Sequence, residues 1–248
     1  MRISLALALV IATSVAIADD EAAPIHEAGG DAKKRYFLID RPEGTEPPAK
    51  GFRLLIVMPG GSGDERFHPF VRSIARHALS EAWIVAQPIA VKWTEDQQIV
   101  WPTKESPADG MKFTTEELVD AVVKDVAKKK KIDERFVFTL SWSSSGPAAY
   151  AAAFRKKTPV TGSLVAMAVY VPQRLPPIAP AKGRPFYLLH SPDDAVCRIW
   201  MARKAKEDLE RAGAKATLVE YAGGHGWHGD VFGMIRKGVE WLEAAAGA

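Results

Sequence analysis

Residues 136–154, FVFTLSWSSSGPAAYAAAF, decide how the rest of the chain is read. The stretch begins with apolar, β-branched and aromatic residues over 136–140, which favour a strand. It ends in an alanine-rich segment that favours a helix, and Pro147 stands where a first helical turn tolerates proline. Four serines and one tryptophan lie between the two segments. We therefore predict a strand, a sharp turn and a helix, with a serine at the bend.

The turn resembles the nucleophile elbow G-x-S-x-G, in which a serine lies on a strained bend between strand and helix. The residues two before and two after the nucleophile must be small, because the two backbones pack closely there. Ser143 meets this condition, with Ser141 and Ser145 at the flanking positions. If Ser144 or Ser145 were the nucleophile instead, a tryptophan or a proline would occupy one of these closely packed flanking positions. Ser143 is therefore the candidate nucleophile, and the alternative is a serine-rich loop that only caps the helix.

The first residues have the pattern of a secretory signal peptide over 1–18. Arg2 precedes an apolar core, and the Ala-Ile-Ala triplet at 16–18 stands before acidic residues as a cleavage site. We predict cleavage after this triplet and a secreted or periplasmic protein. The apolar part is too short for a retained membrane span, and no later stretch is long enough to be one. Residues 19–34 are predicted to be a flexible lead-in.

Length and composition predict one α/β domain over residues 35–248. The 47% of hydrophobic residues suffices for a well-buried core of that size. Lys and Arg number 33 against 30 Asp and Glu, and this near-neutral balance gives no reason to expect a nucleic-acid partner. Cys197 is the sole cysteine, so an internal disulfide is excluded despite the predicted export.

Apolar runs of strand length alternate with helical patterns along the domain. This alternation predicts the α/β class, with a mostly parallel central sheet, helices on both faces and no evident separate lid domain. One helix begins with a capping box, in which Thr114 and Glu117 hold each other's backbone N–H groups. The other strands are predicted over 35–40, 52–58, 82–89, 163–171, 185–190 and 216–221, and the other helices over 70–79, 198–212 and 231–245.

An acyl-transfer serine needs a base, an acid that orients the base, and donors for the oxyanion. In an open α/β sheet these groups come from loops at the carboxyl ends of strands. One such loop carries Asp193 and Asp194, and a later one carries His225 between glycines. We predict His225 as the base and one of the two aspartates as the acid, in the chain order Ser, Asp, His. The alternative for the aspartates is that both cap the helix that follows.

The loop 59–64, PGGSGD, follows the predicted strand 52–58. Its glycines allow a backbone N–H to point towards a substrate. In the fold that contains the nucleophile elbow, a loop at this place in the chain supplies one oxyanion donor. Gly61 or Ser62 is the candidate for this donor. The N–H of Ser144, which follows the nucleophile, is the candidate for the other.

His225, His228 and Asp230 also fit an H-x-x-H-x-D pattern of metal ligands. The spacing is loose, and the sequence offers no third strong ligand elsewhere. We therefore predict no metal site.

These parts together resemble small secreted α/β-hydrolases of the predicted-esterase type, similar to the phospholipase/carboxylesterase and polyhydroxybutyrate-depolymerase-like families. In those families the acid lies four residues after a histidine, and the resemblance therefore favours Asp194, four residues after His190. Departures are Pro59 for the usual histidine, serines at both elbow glycines, and Ser191 for glycine. The resemblance spans roughly residues 35–242 and rests on the segments 59–62, 141–146, 190–194 and 224–227.

The resemblance implies a serine esterase that cleaves small-molecule or polymer-linked carboxylic esters without a metal or organic cofactor. Ser143 would form the acyl-enzyme, with His225 as base and Asp194 as the orienting acid. A peptidase or lactonase on the same fold is one alternative. A non-catalytic binding domain is another, and the ordered set of three residues argues against it.

Overall fold

The computed structural model describes residues 23–42 and 44–247, and the predicted signal peptide lies outside them. These residues contain an eight-stranded sheet in the order β1-β2-β4-β3-β5-β6-β7-β8. The strands from β4 through β3 to β8 pair in parallel, whereas β1 and β2 pair antiparallel with their neighbours. The predicted α/β class with a mostly parallel sheet is confirmed. The strands are β1 Ile25–Glu27, β2 Arg35–Ile39, β3 Phe52–Met58, β4 Trp83–Pro88, β5 Ile132–Trp142, β6 Gly162–Ala166, β7 Pro185–His190 and β8 Lys215–Glu220.

Helices pack on both faces of this sheet. Residues of α2, α3 and α4 belong to the apolar cluster on one face, and residues of α1 and α5 belong to the cluster on the other. None of the helices within the described ranges is long and apolar enough to cross a membrane. The helices are α1 His68–His77, α2 Thr115–Lys129, α3 Gly146–Ala153, α4 Ile199–Arg211 and α5 Val231–Gly247.

The predicted capping box at the start of α2 is present. The Thr114 hydroxyl accepts the Glu117 N–H at 3.2 Å, and the Glu117 carboxylate accepts the Thr114 N–H at 2.8 Å. Leu118, Val122 and Val126 then follow on one buried face of the helix. The cap sets where the helix begins, and the apolar stripe sets which face packs on the sheet.

Two predictions of local structure differ from the structure. The predicted strand over 163–171 ends at Ala166, because Met167 takes a φ of 39° and its N–H donates to Leu189 O in the neighbouring strand. Within the segment predicted as a flexible lead-in, Ile25–Glu27 forms β1, paired with β2. A three-residue edge strand has too few residues to show a periodic pattern, and its pairing partner stabilises it.

Strands β3, β5, β7 and β8 run in the same direction. Their carboxyl ends therefore lie at one edge of the sheet, and the loops that follow them meet there. The candidate site residues predicted from the sequence lie in these four loops.

Candidate active site

The nucleophile elbow lies between β5 and α3. A short 3₁₀ turn, Ser143–Ser145, connects the two elements, and Ser143 takes a φ of 54°. Non-glycine residues rarely adopt a positive φ, so the surrounding packing must hold this conformation. That packing is close, since a Cβ added to Gly146 would lie 2.2 Å from the Ala168 Cβ. The predicted strand, sharp turn and helix are present, with Ser143 at the bend.

The two serines that flank Ser143 are both buried but differ in their hydrogen bonds. The Ser145 hydroxyl lies 2.6 Å from Met58 O, at the end of β3, and accepts the Trp142 N–H at 3.0 Å. It therefore ties the elbow to the neighbouring strand. The Ser141 hydroxyl, within the strand, has no hydrogen-bond partner among the described residues.

The structure brings the three predicted side chains into one chain of hydrogen bonds. Ser143 Oγ lies 3.0 Å from His225 Nε2, and His225 Nδ1 lies 2.8 Å from Asp194 Oδ2. Asp194 is buried, whereas Asp193 is exposed. The structure therefore places Asp194, and not Asp193, against the imidazole.

The Asp194 carboxylate is held in a buried setting rich in donors. Its side chain is fully buried, and Oδ1 accepts the N–H groups of Val196 and Cys197, each at 2.8 Å. Burial raises the pKa of this carboxyl, but the hydrogen bonds from His225 and the two backbone donors outweigh it and hold the pKa below its usual range. Asp194 is therefore ionised at neutral pH and accepts from His225 Nδ1–H.

Two residues that the sequence did not single out for the site hold the loop of His225. Ser191 Oγ accepts the Gly224 N–H at 3.0 Å, and the Tyr221 hydroxyl donates to Gly226 O at 2.7 Å. Burial and the nearby Asp194 charge raise the pKa of Tyr221 to about 12, so this donor keeps its proton. The sequence marked Ser191 only as a departure from a family glycine, although its place directly after β7 could have indicated a contact with the next loop.

His190 and Cys197 lie beneath the acid loop. His190 is buried, with Nε2 2.6 Å from Cys197 O and 3.4 Å from Asp194 Oδ2. Burial and the Asp194 charge raise the pKa of the Cys197 thiol to about 11, so the thiol is protonated at neutral pH. Both residues contact Asp194, His190 through its ring and Cys197 through its backbone N–H, and so help to fix the position of the acid.

Among the described residues, the side chains of metal-ligand type that lie close together are not the three of the H-x-x-H-x-D pattern. Atoms of Asp194, Cys197 and His225 lie within 4.8 Å of one another. Asp230 instead accepts the Gly233 N–H at the start of α5. Asp194 and His225 are joined by a hydrogen bond, and the Cys197 thiol beside them keeps its proton at neutral pH.

The loop 59–64 lies directly against the elbow. A Cβ added to Gly60 would lie 2.6 Å from Trp142 O, and the Ser144 hydroxyl donates to Gly61 O at 3.0 Å. The Ser62 hydroxyl, by contrast, accepts from the exposed Arg66 side chain at 3.2 Å. The structure therefore brings the candidate oxyanion residues Gly61 and Ser144 together, beside the nucleophile.

Three tryptophans near the elbow lie in two different settings. Trp142 and Trp227 pack against each other, with ring centroids 5.7 Å apart, behind the elbow. Trp101 donates its indole N–H to Pro59 O at 2.9 Å and lines a cavity of about 130 Å³ beside Ser144. Trp142 and Trp227 therefore pack beside the elbow, and the Trp101 ring forms part of the wall of a cavity that Ser144 also lines.

No protein-family profile matches the sequence, and no curated protein matches it. Solved structures do resemble it. A carboxylesterase from Bacillus cereus is 18% identical, with a TM-score of 0.62 over 85% of this chain and 93% of that one. Esterase 2 of Thermogutta terrifontis, phosphonylated by cyclosarin, is 13% identical, with a TM-score of 0.62 over 91% of this chain and 94% of that one.

A structure from work on two fungal esterases of Rhizomucor miehei is 14% identical, with a TM-score of 0.66 over 90% of this chain and 83% of that one. At these identities the likeness concerns the fold. The strand order of the described sheet and the elbow after β5 agree with it. The chain has the α/β-hydrolase fold.

Proposed function

We propose that the protein is a serine hydrolase that cleaves carboxylic esters. The observation that carries this proposal is the hydrogen-bonded chain from Ser143 through His225 to Asp194, with the serine on a strained elbow. The structural neighbours described above are esterases, and one of them was captured phosphonylated by cyclosarin. Phosphonylation of that esterase supports the use of the same chemistry as a test here.

In the proposed reaction, Ser143 Oγ attacks the ester carbonyl carbon and passes its proton to His225 Nε2. Asp194, ionised and fully buried, accepts from Nδ1–H and so holds the reactive tautomer. The tetrahedral intermediate expels the alcohol, which takes the proton from His225. Water then attacks the acyl-enzyme with His225 again as base, which releases the acid and restores the serine.

The oxyanion would be stabilised by the N–H of Ser144 and by that of Gly61 or Ser62. The support for this assignment is the contact between the loop 59–64 and the residue that follows the nucleophile. Backbone donors fixed before the substrate arrives stabilise the developing charge without reorganisation. The mechanism needs no metal or organic cofactor.

We also propose that the protein acts outside the cytoplasm, in the periplasm or the medium, on small-molecule or polymer-linked esters. The support is the signal-peptide pattern over residues 1–18. Comparing the N-terminus of the protein from culture medium, periplasm and cells by mass spectrometry tests this proposal. A retained residue 1 in every fraction would contradict it.

Labelling with a fluorophosphonate tests the proposed nucleophile. The mature protein is treated with the probe in the presence of a chelator, and the modified peptide is located by mass spectrometry. We expect one adduct on Ser143, none in Ser143→Ala, and a loss of kcat on the order of 10⁶-fold in that variant. A folded protein without an adduct, or a variant that keeps most of its esterase activity, would overturn the proposal.

A further inference from the structure

We propose that the cavity beside the nucleophile binds the carboxylate of a short ester, and that Arg174 recognises this group. The inference rests on the proposed esterase function and narrows its substrate class. The cavity has a volume of about 130 Å³ and is lined in part by Ser144, the residue that follows Ser143. Its lining includes Arg174 from the loop after β6.

The size of the cavity limits the substrate. Pockets for drug-sized ligands have volumes of roughly 300–1,000 Å³, well above that of this cavity. Trp101, Val171 and Leu175 contribute apolar walls. A chain of a few carbons fills such a space.

Arg174 supplies the sole charge among the described residues that line this cavity. The other polar groups of the lining are the hydroxyls of Ser144, Thr103 and Ser106. Arg174 is exposed, and within residues 23–42 and 44–247 its side chain takes part in no hydrogen bond or ion pair. A planar guanidinium matches a carboxylate through two parallel hydrogen bonds, so its preferred ligand is a carboxylate.

The backbone holds Arg174 in place. It ends the 3₁₀ turn Pro172–Arg174, and its N–H donates to Val171 O at 2.9 Å. Trp101, another residue of the lining, is fixed by its hydrogen bond to Pro59 O, in the loop that carries the candidate oxyanion donor. The cavity is thus formed before a substrate arrives, which lowers the entropic cost of binding.

The experiment compares esters that differ only in charge. Monomethyl succinate carries a carboxylate on the acyl side, and methyl succinamate is its neutral isostere. Acetoxyacetate, which carries the carboxylate on the alcohol side, is compared with acetoxyacetamide. We expect a higher kcat/KM for the anionic member of one pair, and the pair that shows it identifies which side of the ester enters the cavity.

Substitutions at Arg174 test the recognition. We expect Arg174→Gln to lower the anionic-to-neutral ratio of kcat/KM about tenfold, Arg174→Glu to lower it further, and Arg174→Lys to retain part of it. Arg76→Gln is the matched control, because it removes the same charge from α1, outside this cavity. A wild-type ratio near one in both pairs, or a ratio that Arg174→Gln leaves unchanged, would overturn the inference.

Binding to the Ser143→Ala protein, followed by NMR, gives a readout that needs no turnover. We expect the anionic ester to bind about tenfold more tightly than its neutral isostere, and the difference to disappear when Arg174→Gln is added. A binding preference without turnover or fluorophosphonate adduct would overturn the esterase proposal alone. Turnover of both esters without a preference would overturn this inference alone.

Discussion

The loops after β7 and β8 and the loop after β3 hold their parts of the site in different ways. The first two are joined by partly buried hydrogen bonds, from His225 Nδ1–H to the Asp194 carboxylate and from Gly224 N–H to Ser191 Oγ. The loop after β3 is held through its backbone: Gly60 packs closely against Trp142, and the carbonyls of Pro59 and Gly61 accept hydrogen bonds from Trp101 and Ser144. In the first two loops side chains of the loops themselves make the contacts, whereas in the loop after β3 the groups that are held belong to the backbone.

This difference predicts unequal responses to substitution. On the side of the acid and the histidine, changing one atom of a buried carboxylate alters the tautomer of the base. On the side of the oxyanion, the space that an added Cβ would need at Gly60 is expected to matter most. The following experiments test the contrast, from the largest expected effect to the smallest.

We expect Asp194→Asn to lower kcat roughly 10⁴-fold, because an amide can donate to His225 Nδ1 and so favour the wrong tautomer. Asp193→Asn is the matched control, since Asp193 is exposed, and it should leave kcat close to that of the wild type. Steady-state kinetics on a neutral aryl ester measures both. Equal losses in the two variants would contradict the assignment of the acid.

Gly60→Ala should lower kcat roughly 10²–10³-fold, the cost of one lost oxyanion donor. Its Cβ would meet Trp142 O at 2.6 Å, so the loop must move away from the elbow. Gly247→Ala is the control, because no atom lies within 4 Å of the Cβ added there and Gly247 does not have a positive φ. A Gly60→Ala enzyme with wild-type kcat would show that the position of this loop does not matter for the reaction.

The two serines beside the nucleophile offer a test of stability within the elbow itself. Ser145→Ala should lower the free energy of unfolding by about 1–3 kcal/mol, because it leaves buried backbone groups without their partner. Ser141→Ala removes a buried hydroxyl that has no partner among the described residues, and should change stability by less than about 0.5 kcal/mol. Urea unfolding of both variants measures the difference, and equal costs would contradict it.

The smallest expected effect is a change of stability with pH. The folded-state pKa of Asp194 lies below its unfolded value of about 3.9. Its contribution to stability is therefore fully present above pH about 4 and is lost as the pH falls through the folded pKa. The difference in unfolding free energy between wild type and Asp194→Asn should shrink as the pH falls below about 4. A difference that does not change with pH would show that the folded protein leaves this pKa unperturbed.

Much of the architecture could be read from the sequence because its signals are local. The predicted strands 52–58 and 185–190 have the bounds of β3 and β7, since continuous apolar runs are what a strand buried on both faces requires. Ser143 could be singled out by steric reasoning alone, because only small residues fit beside a strained bend. The loops that carry Asp194 and His225 could also be located, because parallel strands bring their carboxyl ends to one edge.

Other features were decided only by the tertiary structure. The residues alone left Asp193 and Asp194 open; burial and the position of His225 place Asp194 in the site. No local sequence pattern indicated that Ser191 and Tyr221 hold the histidine loop. Each of their hydrogen bonds joins groups whose distance depends on how the loops pack. Sequence periodicity reports which face of an element is buried, whereas contacts between loops depend on the order of strands in the sheet.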